Sequence, residues 1–116
     1  MTRIFLVLAY AADRPEGDIA DRLELSLPLP ATGHLDDAEA GPFPAERQLP
    51  DGRRRAMELL REEGFWALRR TSPATDPEDA PLWQVEARML RPGELIQLLR
   101  PDGEALTFRI VNVAAE

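Results

Sequence analysis

The sequence contains no cysteine and a single histidine, and all 14 of its basic residues are arginine, so lysine is missing as well. Without cysteine there are no disulfides, thiolate nucleophiles, iron–sulfur clusters or thiolate zinc sites. Without lysine there is no Schiff-base or pyridoxal chemistry, no phosphate-loop lysine and no amine general base. Long hydrophobic runs are lacking too: no stretch approaches the ~18 apolar residues that span a membrane. The N-terminal run Ile4–Leu8, followed by Ala9, Tyr10 and Ala11, imitates a signal peptide, but Asp13 and Arg14 follow too soon for the ~15–30 residues of a secretory leader. That segment is expected to be a buried strand, and the protein to be cytoplasmic with no membrane partner.

What is present describes a globular chain of 116 residues with 44% hydrophobic and 30% charged content and a formal net charge of −7. This length is enough to bury about two-thirds of the unfolded surface in one domain, residues 1–116, without a metal or disulfide. The acidic balance argues against nucleic acid as a partner, because phosphate neutralisation needs a basic face. Proline is abundant, with 11 residues against a usual ~5 %, and its spacing between apolar runs points to many ordered turns.

Residues 3–11 are apolar on both faces and suit a strand covered on both sides. After turn residues from Asp13 to Asp18, Leu23, Leu25, Leu27 and Leu29 alternate with polar residues and read as a half-buried strand, forming a hairpin with the first. Pro30, Pro42, Pro44 and Pro50, with Gly33 and Gly41, predict an irregular loop over about 30–50, with at most a short helical turn at 35–40. The spacing of Ala56, Leu59 and Leu60 between Asp51 as N-cap and Gly64 as C-cap predicts a helix over 52–63. Four strands follow, over 65–71, 82–90, 95–100 and 105–113, the last three joined as a meander by Pro-Gly and Pro-Asp-Gly turns. The expected fold class is α+β: a mostly antiparallel, curved sheet of about six strands packed by one main helix. One helix leaves part of such a sheet uncovered, so either the sheet curls into a partial barrel or an apolar face awaits a partner.

Three groups of residues are candidates for function. Arg53, Arg54 and Arg55 at the start of the expected helix, with Arg69 and Arg70 at the end of the next strand, could form an anion site for phosphate or carboxylate. An alternative is that they pair with surface acids. Arginine is the only cation the chain uses, which a GC-rich coding sequence would also produce, and this weakens the argument from the triplet. His34 with Asp36 and Asp37 offers donor types of a polar or metal site, but no second histidine completes it, and no Gly-x-Ser-x-Gly elbow supplies a nucleophile. The expectation is that there is no metal site and no cofactor. Trp66, Trp83 and Phe43 are either core anchors or binding-surface aromatics. The leading expectation is a non-catalytic protein-binding or adaptor module, offering a sheet edge or the 30–50 loop to an unidentified protein partner or to itself as a homodimer. The rival is a small anionic-ligand-binding protein or enzyme with its pocket between helix and sheet.

Overall fold

The computed structural model describes residues 1–71, 82–87, 89–100 and 103–115. Eight strands form a closed antiparallel barrel: β1 (Thr2–Ala11), β2 (Asp18–Leu27), β3 (Phe43–Gln48), β4 (Arg54–Glu62), β5 (Phe65–Arg70), β6 (Trp83–Glu86), β7 (Leu95–Leu99) and β8 (Ala105–Ala115). Each strand pairs with its neighbour in sequence, and β8 closes on β1, from Thr2↔Ala115 to Ala11↔Leu106. The protein is therefore all-β, and the α+β class with a main helix is corrected. Its one helical element among the described residues is the 3-10 turn Leu35–Asp37.

The expected helix is strand β4. Its inward positions are Arg55, Met57 and Leu59, and between them Ala56 is exposed and Glu58 and Leu60 are half-buried. The alternation is concealed because an arginine points inward and a leucine outward. Arg, Ala, Met, Glu and Leu are also good helix formers, so local propensity favoured a helix. Pairing on both sides, with β3 through Phe43↔Leu59 to Gln48↔Arg54 and with β5 through Met57↔Arg70 to Glu62↔Phe65, overrides that propensity. The second missed strand, β3, lies inside the expected 30–50 loop, which is irregular as far as Pro42. Of the expected strand over 82–90, residues 83–86 are paired in β6; Arg88 lies outside the described residues, as do Ser72 and the prolines and acids of the following loop to Pro81.

An eight-stranded barrel is just wide enough for its side chains to fill it. Ile4, Leu6, Leu8, Leu23, Leu25, Leu27, Leu59, Leu68, Ile96, Leu98, Phe108 and Ile110 are all buried there, and a fully buried side chain of this kind contributes about 1.5–3 kcal/mol. Charged residues such as Arg3, Glu24, Glu58 and Arg69 pair on the outer face. An apolar interior with a charged exterior is the reverse of a lipid-embedded barrel, whose apolar band faces outward. Among the described residues, no helix is long and apolar enough to cross a membrane.

The two ends differ. At the lower end the β2–β3 connection folds underneath, burying Leu35 in the core with Leu90. His34 bridges Met89, and the Leu90 amide donates to the Gly33 carbonyl at 2.8 Å. The upper end gathers the connections 12–17 and 49–53 with Arg100, Gly103 and Glu104 of the β7–β8 hairpin. In the β1–β2 connection, Gly17 has φ +79°, and a Cβ on it would lie 2.5 Å from the Leu8 carbonyl oxygen, so only glycine fits.

Candidate functional site: the barrel mouth

At the upper end the inward-facing rows change character. Asp21 ends the row of Leu23, Leu25 and Leu27 on β2, and Arg47 that of Phe43 and Ala45 on β3. Arg55 ends the row of Met57 and Leu59 on β4, Arg70 that of Trp66 and Leu68 on β5, and Arg100 follows Ile96 and Leu98 beyond β7. Four adjacent rows, on β2 to β5, and the row of β7 beyond β6 thus terminate in a charge, four of the five cationic, in a chain whose net charge is −7. Trp83 of β6, Leu106 of β8 and Ala11 of β1 are the buried residues toward this end on the remaining strands.

Asp21 is the deepest of these groups, with none of its surface exposed. The β1–β2 register shifts between Val7 and Leu8, and this bulge leaves Ile19 outside while Asp21 faces in. Its carboxylate accepts from Arg47 Nε at 3.0 Å and Nη2 at 2.8 Å, a two-pronged contact, and from Arg14 Nη1 at 3.0 Å. Arg14 reaches it from the β1–β2 connection, held by reciprocal backbone hydrogen bonds with Ala11 at 3.0 and 3.1 Å. Burial works to lower the Arg14 pKa, but the hydrogen bond to Asp21 and the charges of Asp21, Asp13 and Asp18 outweigh it and raise the value above that of a free guanidinium. Arg14 is therefore a permanent cation.

Above this pair lies a cavity of about 370 Å³. Its cationic lining is Arg14, Arg47, Arg53, Arg55 and Arg100, its acidic lining Asp13, Asp51 and Glu104, and its apolar lining Leu49, Pro50, Trp83 and Leu106. Arg47 and Arg55 are register partners across β3 and β4, and like charges directly opposite are destabilising unless something compensates them. Arg55 is 7% exposed, and the side chains of Arg47 and Arg100 are 11% and 9% exposed, so these charges are held largely out of water. The Arg100 guanidinium stacks on Trp83, 4.2 Å from the ring centroid, and Nη1 donates to Glu104 at 3.1 Å. Its Nε is buried with no hydrogen-bond acceptor among the described residues.

Asp51 sits at the rim, where the Arg53 amide donates to Oδ1 at 2.9 Å and Arg53 Nε to Oδ2 at 2.6 Å. The backbone hydrogen bond first, then the Arg53 guanidinium and the charges of Arg53 and Arg55, hold its carboxyl below the ordinary value against a smaller opposing effect of desolvation.

Of the five arginines singled out in the sequence, Arg53, Arg55 and Arg70 come to this end. Arg54 and Arg69 point outward, toward Glu46 at 3.6 Å and Glu58 at 2.7 Å. Asp21, Arg14, Arg47 and Arg100 were missed. For Asp21, Arg47 and Arg100 the signal was a charged residue occupying the next inward position of an otherwise apolar row, visible only once the alternation is extended by one step; Arg14, in the β1–β2 connection, carried no such signal. His34, Asp36 and Asp37 lie at the opposite end of the barrel. Thr32 Oγ1 donates to Asp37 at 2.6 Å and accepts from the His34 amide at 3.3 Å, while the Asp36 carbonyl accepts from Arg61 at 3.3 Å. No group of three or more potential metal ligands occurs among the described residues. Phe43, Trp66 and Trp83 are all buried inside the barrel, and of the three only Trp83 borders the mouth cavity.

No protein family, curated protein or solved structure matches the chain.

Proposed function

We propose that the barrel is a binding protein that holds a small organic anion in its mouth, with no covalent chemistry. The observation that carries this reading is the termination of the inward rows in arginine at one end only, with Arg47 and Arg55 opposed across adjacent strands. Charges out of water are costly unless countered, and Asp21 counters Arg14 and Arg47 directly. A ligand anion at the same level would be held by guanidinium forks suited to carboxylate or phosphate. The cavity lies within the usual range of ~300–1,000 Å³ for small-molecule sites. A cytoplasmic setting is part of the same proposal, in keeping with a chain free of cysteine.

The test is calorimetric titration with a panel of carboxylates, phosphate and sulfate at low ionic strength. Saturable binding at about 1 mM or tighter is expected, weakened by added salt and lost in Arg55→Gln. Absence of binding by every anion would overturn the reading.

A second reading has its own observation. Phe5 and Val7 on the outer face of β1 are half-buried, and Ile19 and Val111 beside them on β2 and β8 are exposed. This apolar strip supports self-association or a protein partner. The barrel pairs every strand on both sides, so such an interaction would use this outer face and not an open sheet edge. Sedimentation showing a strict monomer up to millimolar protein would remove the homodimer.

A further inference from the structure

We propose, resting on the self-association reading of the outer apolar strip, that its occupant is a second copy of this chain. The two copies dock face to face about a two-fold axis that crosses β1 between Phe5 and Val7 and sets Arg22 of each on Glu24 of the other.

The apolar surface is one-sided. Among the described residues the exposed large apolar side chains are Met1, Tyr10, Ile19, Leu95 and Val111. All lie on the adjacent strands β7, β8, β1 and β2 or, for Met1, immediately before β1. The opposite side, β3 to β5, instead carries exposed charge pairs such as Glu46 with Arg54 and Glu58 with Arg69. A groove of about 330 Å³ runs between Ile19 and Val111 and is lined by Phe5 and Val7. Two irregularities shape its flanks: β2 inserts residues 19–21 between the partners of Leu8 and Val7, and β8 inserts Val111 between those of Leu6 and Phe5. Bulges re-aim side chains, and these leave Ile19 76% and Val111 49% exposed. Apolar groups held in water in this way gain from burial.

Charge selects both the partner and its orientation. Val7 is the register partner of Arg22 on one side and of Arg109 on the other, and Phe5 that of Glu24 and Asn112. The outer face thus carries two rows about 7 Å apart, one cationic at its flanks and one acidic. Neither Arg22 nor Arg109 has a carboxylate partner among the described residues, and Arg22 donates only its Nε–H, to the Ile19 carbonyl at 3.0 Å. Glu24 accepts from Arg3 at 2.9 Å in an exposed pair, and its carboxylate has room for a second guanidinium.

A two-fold axis in the contact plane, crossing the strands midway between the rows, sets Arg22 over Glu24 and Val7 over Phe5, each twice, with Val111 over its own copy. An axis running along β1 would instead set Arg22 over Arg109, and like charges across an interface are costly. A uniformly acidic partner would oppose Glu24 and its neighbour Glu46, and a uniformly basic one Arg22 and Arg109. The same patch turned on itself opposes neither, as an isologous contact requires. At about 0.15 M salt the Debye length is about 8 Å, so the net charge of −7 on each copy is screened while groups paired in contact lie well inside that distance.

The experiment is sedimentation equilibrium at about 0.15 M salt, from micromolar to millimolar protein. The wild-type chain is expected to dimerise with a Kd on the order of 100 µM, as suits a contact of three strands a side. Val111→Arg lowers the net negative charge, yet should weaken the dimer at least about tenfold, because two like charges meet at the axis. Arg22→Glu and Glu24→Arg should each weaken it as much. An equimolar mixture of those two variants should form a heterodimer about as tight as the wild-type dimer, because the mixture restores every Arg–Glu pair. Unchanged backbone amide spectra establish that the variants are folded. A strictly monomeric wild type overturns the second copy and leaves a different protein as the partner of the strip. A dimer undiminished in Val111→Arg overturns both, since its interface lies elsewhere. A dimer broken by Val111→Arg, but whose charge-reversed variants neither weaken nor combine, overturns the axis while the strip stands as the interface.

Discussion

Replacing Asp21 by asparagine is expected to destabilise the barrel by about 3 kcal/mol. The carboxylate accepts three hydrogen bonds from two guanidiniums at 2.8–3.0 Å and is wholly buried. Asparagine keeps the shape but turns two N–H donors toward groups that are themselves donors, and it removes the charge that both arginines face. Removing one partner of a buried ion pair typically costs about 3–5 kcal/mol. The lower end applies here, because the Arg14 and Arg47 side chains are 27% and 11% exposed and water can reach part of each. For a chain of this size such a loss lowers the melting temperature by roughly 10 °C. Urea unfolding followed by tryptophan fluorescence would measure it, with an unchanged m-value showing that the transition remains the same one. Combining Asp21→Leu with Arg47→Met and Arg14→Met tests the cause: if the penalty arises from uncompensated charge, the triple variant recovers most of it, since apolar replacement of a whole buried pair or triad is often neutral. A loss below about 0.5 kcal/mol for Asp21→Asn, the range of ordinary surface substitutions, would refute the account of Asp21 as the charge that holds the mouth together.

Other substitutions distinguish the two ends and the turns. Leu35→Ala, which empties the plug beneath the core, should cost about 2–5 kcal/mol, whereas exposed His34→Ala next to it should stay within about 0.5 kcal/mol; denaturant unfolding of the pair checks both. Gly17→Ala should cost more than about 1 kcal/mol, because its φ of +79° is strained for alanine and the Cβ would press on the Leu8 carbonyl at 2.5 Å; a thermal melt reads it. The folded-state pKa of Asp51 is depressed, so its stabilising effect is complete above the unfolded value of about 3.9 and is lost as the pH falls through the lower folded value. Acid titration of Asp51→Asn should accordingly lack that part of the wild-type decline below about pH 4.

The parts of the fold that the sequence made legible were those where inward residues are uniformly apolar. The alternation of Leu23, Leu25 and Leu27 and the apolar run Ile4–Leu8 identify β1 and β2, and their antiparallel pairing follows from the short connection. The Pro-Asp-Gly at 101–103 marks the β7–β8 hairpin, in which the Gly103 amide donates to Arg100 and the Arg100 amide to Glu104. The same triplet at 50–52 makes the same pair of hydrogen bonds, Gly52 to Leu49 and Leu49 to Arg53. It is a hairpin turn too, and not the start of a helix. It was hidden because the strand after it begins with two arginines, and because β3 before it carries Pro44 at an exposed position and Arg47 at an inward one. The same substitution of charge for apolar residue that disguised β3 and β4 is what builds the mouth. Sequence reasoning therefore weakens where the candidate site begins, since a local rule about apolar rows is broken there and only the closed barrel shows what the exceptions share.

The connectivity of the barrel has a kinetic consequence. Seven of its pairings join strands consecutive in sequence, and one, β8 on β1, brings together residues near the two ends of the chain. Hairpins of the first kind form within microseconds on their own scale, but the seam must close a loop of nearly the whole chain, an entropic cost on the order of 4 kcal/mol if nothing else has formed. β1 and β8 are 10 and 11 residues long, and no strand exceeds them, so the longest available ladder lies where closure costs most. Once the hairpins exist, β1 and β8 are the edges of one curved sheet and meet over a much shorter effective loop. The seam is thus the natural final step of folding, and until it closes those two strands remain the chain's exposed edges.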